Sequence, residues 1–185
     1  MPHGGIARAL LKRVKKEQLL RDSECGEGNF AASALIEFLY RYWLESELYN
    51  LGFDGIEREV LYPPDHRSKK GRARSCDLRF KRGKSIYWLE LKVAYSNTRY
   101  SRNELVSDIE KLAQLPETNG SHQVKRVYIV VFISEGNEVP LIMKGIIEAA
   151  AGVGAALEYE SSYMPTPGEW KGWQNSHIHI GCLIW

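Results

Sequence analysis

Residues 76–92, CDLRFKRGKSIYWLELK, alternate apolar and charged side chains on both sides of a short glycine-containing turn. This alternation predicts a β-hairpin, because successive side chains of a strand point to opposite faces. Asp77 and Arg79 then share one face of the first arm, and Glu90 and Lys92 share one face of the second. The opposite, apolar faces contain Cys76, Leu78 and Phe80 in the first arm and Tyr87, Leu89, Leu91 and Val93 in the second.

The cross-strand register decides whether the charged side chains meet. A two-residue turn at Arg82-Gly83 brings Asp77 one diagonal step from Glu90. A longer connection, from Arg82 to Ser85, places Asp77 directly opposite Glu90. Both registers put the two acids on one face with Lys92, whereas a one-residue slip would bury the charges of one arm.

Two carboxylates that face each other across a sheet repel, unless they share a divalent cation. Oxygen ligands of this kind suit Mg²⁺ or Mn²⁺, which commonly bind a few carboxylates together with water and phosphate oxygens. Lys92 lies two residues beyond Glu90 on the same face, where it can hold an attacking water or offset charge on a phosphate. Asp77 and Glu90 therefore predict a Mg²⁺ or Mn²⁺ site.

Basic residues surround the first acid of this pair. From His66 to Lys84 the chain has nine Lys or Arg and one acid, Asp77. Such a cluster is a candidate phosphate-binding surface, although a solvated loop would have the same composition. The candidate contacts to nucleic acid are Lys69, Lys70, Arg72, Arg74 and Arg79.

The rest of the chain predicts elements that enclose the hairpin. The 185 residues, 44% of them hydrophobic, suit one domain of the α/β class with a mixed central sheet flanked by helices. It would comprise a basic N-terminal helix (1–22), a core (29–134), and a C-terminal helix with strands (135–185). The predicted helices are Ile6–Arg21, Asn29–Asn50, Asn103–Leu115 and Val139–Gly152. The predicted strands are Ile56–Tyr62, Cys76–Lys81, Ser85–Tyr95, Arg126–Ser134, Ala155–Glu160 and His177–Ile184.

Helical periodicity also predicts which side chains enter the core. In the first helix the expected apolar stripe is Ile6, Leu10, Leu11, Val14 and Leu19. In the second helix the expected core face is Phe30, Ala34, Phe38, Tyr42 and Tyr49.

Several function classes find no support. The three cysteines form no CxxC pair, so a zinc site built on cysteine is not expected. No apolar run reaches the roughly 20 residues of a membrane span, and the start lacks a hydrophobic signal core. A cytoplasmic protein without membrane association is therefore expected. Neither a Walker loop nor a dinucleotide fingerprint occurs.

The hairpin resembles the PD-(D/E)XK nuclease superfamily, which includes restriction enzymes and Holliday-junction resolvases. The matching residues are Cys76-Asp77-Leu78 and Trp88-Leu89-Glu90-Leu91-Lys92, with Cys76 where the family often has proline. The resemblance implies a restriction endonuclease-like αβββαβ core and metal-dependent cleavage of phosphodiesters. Asp77, Glu90 and the backbone carbonyl of Leu91 would then hold one or two Mg²⁺ ions.

The resemblance also implies an acid from the first core helix and a polar residue from the helix after the hairpin. Glu37 is the preferred helix acid, and Glu45 is its rival because it falls on the expected inward face. Either could instead form a surface pair with Arg41, four residues away. Lys111 is the expected phosphate-side residue, and Asp108, one turn earlier, could simply pair with it.

Nucleic acid is the expected partner, DNA more than RNA, and association into a homodimer is left open. Two other classes compete with a nuclease. One is a non-catalytic nucleic-acid-binding module of the same fold, and the other is a structural protein that docks onto a partner.

Overall fold

The computed structural model describes residues 5–25, 37–63, 75–95, 102–135, 141–165 and 175–185. Within these ranges the helices are α1 (Ile6–Cys25), α2 (Glu37–Asn50), α3 (Arg102–Ala113) and α4 (Leu141–Gly152). The strands are β1 (Asp54–Leu61), β2 (Ser75–Arg82), β3 (Ser85–Tyr95), β4 (Thr118–Asn119), β5 (His122–Glu135), β6 (Ala156–Pro165) and β7 (Asn175–Ile184).

All seven strands belong to one mixed sheet. Its order is β1-β2-β3-β5-β7-β6, with the short β4 paired to β5. β3 and β5 run parallel, and α3 lies between them in the chain; the other strand pairs are antiparallel. The predicted α/β class, with helices packed on a mixed sheet, is confirmed.

The helices cover the two faces of the sheet in pairs. α1 and α2 pack on one face, in an apolar cluster that includes Leu78, Leu89 and Ile129. α3 and α4 pack on the other face, in a cluster that includes Trp88 and Val130. Because β5 is covered on both sides, its sequence contains a nearly continuous apolar run from Val127 to Ile133.

The predicted core face of the second helix is wrong. Phe38, Tyr42 and Tyr49 are 53–59% exposed. The buried side chains of α2 are Tyr40, Trp43, Leu44 and Leu48. The helix carries two apolar stripes, and the stripe with tryptophan and leucine removes more apolar surface from water. The predicted start of this helix, with Phe30 and Ala34, lies outside the described residues.

Smaller differences concern single residues and strand ends. Leu19 is exposed, although the rest of its predicted stripe on α1 is buried. The alternation predicts that Cys76 shares a face with Leu78, but Cys76 packs in the cluster beneath α3 and α4. Close to this point Glu59, on the adjacent strand β1, has a φ of 50° and interrupts the regular strand. β5 begins before the predicted Arg126, because its first residues pair with β3 and β4. No helix among the described residues is long and apolar enough to cross a membrane.

Candidate active site

Asp77 stands where the ladder between β2 and β3 opens. Gly83, with a φ of 58°, forms the tight turn, and pairing continues from there to Leu78. The same register places Asp77 opposite Glu90, which is the second of the two arrangements open to the hairpin sequence. Asp77 Oδ2 accepts a hydrogen bond from the Leu91 N–H at 2.7 Å, so the carboxylate replaces a backbone carbonyl of β2.

Glu90 is a buried acid of β3. Its residue is 9% exposed, and the Tyr62 hydroxyl donates a hydrogen bond to Oε1 at 2.5 Å. Burial raises the pKa of Glu90 to about 8, and the nearby carboxylates of Asp77 and Asp108 add to that increase. In the absence of a cation, Glu90 therefore holds a proton at neutral pH.

The carboxyl groups of Asp77 and Glu90 lie close enough that each one affects the pKa of the other. Burial raises the pKa of Asp77, whereas the Leu91 N–H and the Arg41 guanidinium oppose that increase. Two neighbouring carboxyl groups, one of which keeps its proton, form a pair in which a divalent cation can replace that proton.

Glu37 reaches the same site from α2. Its carboxylate lies near the Val93 N–H, two residues beyond the N–H that donates to Asp77. Burial raises the pKa of Glu37 and the Asp77 carboxylate raises it further, whereas Lys92 and Arg41 lower it. Side chains from β2 and α2 therefore occupy successive positions along the open edge of β3.

Lys92 and Lys111 meet at one acid. Asp108 on α3 is 6% exposed; its Oδ2 lies 3.5 Å from Lys92 Nζ, and its Oδ1 accepts a hydrogen bond from Lys111. Lys111 therefore pairs with Asp108, three residues earlier on the same helix, as their spacing predicted. This ion pair lies beside Glu90 and not on an open surface. Both predicted lysines thus belong to the acidic site through Asp108.

Arg41 is a member of the site that the sequence did not identify. Its guanidinium pairs with Glu59 and lies 3.5 Å from Asp77 Oδ1, and its Cζ lies over the Phe38 ring, 5.6 Å from the centroid. Its position four residues from Glu37 suggested only a surface pair. The helical spacing does bring Arg41 to the site, because residues four apart share a helix face.

Glu45 lies elsewhere. Its carboxylate forms two hydrogen bonds with the Arg58 guanidinium, at 2.7 and 2.6 Å, and this pair satisfies the inward-facing acid. Of the two helix acids considered, Glu37 is the one that approaches Asp77. Glu59, on β1, contacts the site through Arg41 and accepts a hydrogen bond from the Ser75 hydroxyl.

Of the basic segment from His66 to Lys84, only the part from Ser75 onward belongs to the described residues. Lys69, Lys70, Arg72 and Arg74 lie outside the described residues. Arg79 lies over the Trp88 ring and is held by Glu57 at 2.7 Å. Tyr62, which follows β1, contacts Glu90, and Ser75, at the start of β2, pairs with Leu61. The described residues that flank positions 64–74 therefore lie beside the acidic site.

The donor set fits a small divalent cation with few protein ligands. Among the described residues, no three His, Cys, Asp or Glu side chains are placed to hold a metal ion together. Mg²⁺ often uses only one or two carboxylates, with water and substrate phosphate completing its shell. Asp77 and Glu90 supply two such carboxylates. Because the N–H and C=O of a strand residue point to the same side, the Leu91 carbonyl is directed toward them as well.

Together, the fold and the site define an α/β protein with a buried acidic cluster at the open end of a β-hairpin. Comparison of the chain with protein-family models, with curated proteins and with solved structures yields no match. The function of the site must therefore be inferred from its own geometry.

Proposed function

We propose that this protein is a Mg²⁺- or Mn²⁺-dependent nuclease that hydrolyses phosphodiester bonds, with DNA as its substrate. The observation that carries the proposal is the proximity of the part-buried Asp77 and the buried Glu90 on neighbouring strands, with Glu37 and Lys92 beside them. A fold gains nothing in stability from placing acids together in this way. Perturbed acids gathered at one place are typical of functional sites.

Asp77, Glu90 and the Leu91 carbonyl would hold the cation. When bound, the cation lowers the pKa of a coordinated water and stabilises negative charge on the phosphate. Glu37 is not a direct ligand in this proposal, since the described acids do not converge as a group of three. Its carboxylate would support the site by accepting hydrogen bonds from the water of the cation's shell.

The charges around Asp108 favour a single cation. A second cation would need an uncompensated carboxylate beside Glu90, and Asp108 is the nearby candidate. Asp108 already contacts the ammonium groups of Lys92 and Lys111. The two lysines therefore already supply the positive charge that a second cation would bring to Asp108.

The lysines and Arg41 would act on the phosphate directly. Lys92 is 24% exposed and Lys111 is 26% exposed, so both ammonium groups are within reach of a substrate. If a phosphate oxygen replaced Asp108 as the partner of Lys92 and Lys111, each lysine would still form an ion pair. Charge that develops on the phosphate then meets fixed positive groups, which is the arrangement that lowers the barrier. Arg41, beside Asp77, would act on the opposite side of the cation site.

The restriction endonuclease-like core is part of the proposal. Support comes from the order of elements, since α2, β1, β2, β3, α3 and β5 follow one another with antiparallel, antiparallel and parallel pairings. The acids also come from the expected places, namely the first of these helices and the two arms of the hairpin. This agreement supports the αβββαβ assignment.

DNA is the proposed substrate because the basic segment from His66 to Lys84 begins shortly after Tyr62, which contacts Glu90. The nine Lys and Arg from His66 to Lys84 would neutralise phosphates whatever the base sequence. The first experiment is incubation of the purified protein with plasmid and branched DNA in Mg²⁺, Mn²⁺ or EDTA. Cleavage that requires a cation supports a nuclease. Salt-dependent binding without cleavage would favour the non-catalytic binding module, and the absence of both would favour a partner-binding protein.

A further inference from the structure

Tyr128 has a buried hydroxyl for which the described residues offer no hydrogen-bond partner. It lies on β5 directly beside Glu90 in the parallel pairing with β3, so the two side chains project from the same face of the sheet. The residue is 0% exposed, and its hydroxyl oxygen is among the buried polar atoms without a partner. Buried hydroxyl groups are ordinarily hydrogen-bonded, so this atom requires an explanation.

The hydroxyl lies among the acids of the candidate site. Burial raises the pKa of Tyr128, and four carboxylates raise it further, with Asp108 and Glu90 the strongest and Glu37 and Asp77 following. None of these carboxylates accepts a hydrogen bond from Tyr128 directly. The surroundings are therefore rich in acceptors that lie beyond the direct reach of the phenol.

Tyr62 already occupies one hydrogen-bonding position of Glu90. Tyr62 donates to Oε1 of Glu90, so a second phenol is already bonded to this acid. Tyr128 approaches from the neighbouring strand on the other side of β3. A single water molecule can accept a hydrogen bond from the Tyr128 hydroxyl and donate to the carboxylates around it, which satisfies the orphan donor.

We propose that Tyr128 holds a water molecule shared with Glu90 and Asp108, and that this water joins the hydration shell of the cation at Asp77 and Glu90. The inference rests on the proposed nuclease function. Tyr128 acts through the water and touches neither substrate nor cation, so it is a positioning residue. Because groups that orient a metal's ligands commonly affect affinity, the hydroxyl should contribute to cation binding.

The test compares Tyr128→Phe with the matched control Tyr87→Phe in the full chain. Tyr87 is also a buried tyrosine of the central sheet, but it packs in the cluster on the opposite face. Mn²⁺ affinity, measured by isothermal titration, should fall roughly 10–100-fold in Tyr128→Phe and stay unchanged in Tyr87→Phe. A crystal structure of the metal-free wild type should show an ordered water within hydrogen-bond distance of the Tyr128 hydroxyl, and that water should be absent from the variant.

The outcomes separate this inference from the proposed function. If wild type binds Mn²⁺ and cuts DNA, but Tyr128→Phe binds Mn²⁺ as tightly, the role of Tyr128 is overturned and the nuclease stands. A wild-type crystal structure with no water at the hydroxyl would overturn it equally. If wild type binds no Mn²⁺, both the nuclease and the role of Tyr128 fail. Thermal melting of both variants in EDTA checks that neither result comes from unfolding.

Discussion

Replacing Glu90 by glutamine should make the metal-free protein more stable at alkaline pH. The pKa of Glu90 is about 8 in the folded chain, against an ordinary value of 4.5. Below pH 4.5 the group is protonated in both states, so its full contribution to stability is present there. Between pH 4.5 and 8 the unfolded chain releases the proton while the folded chain retains it, so stability falls as pH rises toward the folded pKa.

The size of this effect follows from the same values. From pH 5.5 to 8, the wild type should lose on the order of 3 kcal/mol through this group, at about 1.4 kcal/mol per pH unit. For a chain of 185 residues this corresponds to roughly 6–12 °C in Tm. Glu90→Gln cannot ionise, so its Tm should exceed that of the wild type by a margin that widens with pH.

Thermal melting in EDTA at pH 5.5, 7 and 8 measures this margin. Glu110→Gln, which replaces an exposed acid on α3, is the matched control and should follow the wild type. Saturating Mg²⁺ at pH 8 should raise the Tm of the wild type, because the cation replaces the proton that Glu90 loses, and it should not raise the Tm of Glu90→Gln. A constant difference between wild type and Glu90→Gln at every pH would refute the reasoning.

Three further predictions address the groups around this acid. Lys92→Met should keep the cation affinity of the wild type but lower the single-turnover cleavage rate by roughly 10²–10³-fold, and an unchanged rate would remove Lys92 from the mechanism. Glu37→Gln should weaken Mn²⁺ binding by roughly tenfold in isothermal titration, whereas Glu45→Gln should not, since Glu45 is held by Arg58. Joint replacement of four side chains of the basic segment by alanine should reduce the salt dependence of duplex binding by about 0.9 in slope for each phosphate that is no longer neutralised, and an unchanged slope would show that these side chains do not bind phosphate. The side chains to replace are Lys69, Lys70, Arg72 and Arg74.

The hairpin could be predicted from the sequence because its two-residue period admits one arrangement of faces. Asp77, Glu90 and Lys92 had to share a face in either register, since a slip would bury charge. The choice between registers could not be made in advance. The register depends on which residues form the turn. In the structure Arg82 pairs with Ser85, so Gly83 lies within the turn and adopts its positive φ there.

The face of α2 shows where periodicity fails. Phe38, Tyr42 and Tyr49 repeat as regularly as Tyr40, Trp43 and Leu44, so the pattern itself cannot indicate which stripe is buried. Tyrosine adds to the ambiguity, because its ring packs well while its hydroxyl tolerates water. Tertiary contact with α1 and the sheet makes the choice, and that information is not local.

The contributions of Tyr62 and Tyr128 to the site could not be predicted for a related reason. Tyr62 is separated from Glu90 by 28 positions, and it reaches the acid only because β1 lies beside β2 at the end of the hairpin. Tyr128 becomes a neighbour of Glu90 through the parallel pairing of β3 with β5. No local motif marks these residues, and only the three-dimensional pairing of the strands brings them to the carboxylates.

The most direct measurement is the Mg²⁺ dependence of DNA cleavage by wild type and Asp77→Asn. The asparagine side chain would keep the size of the aspartate but remove the charge that shares the cation with Glu90. Wild type should cleave with a saturable dependence on Mg²⁺. A folded Asp77→Asn protein should bind DNA in EDTA as well as the wild type does and should show no cation-dependent cleavage. Cleavage by that folded variant at the wild-type rate would contradict the assignment of the site.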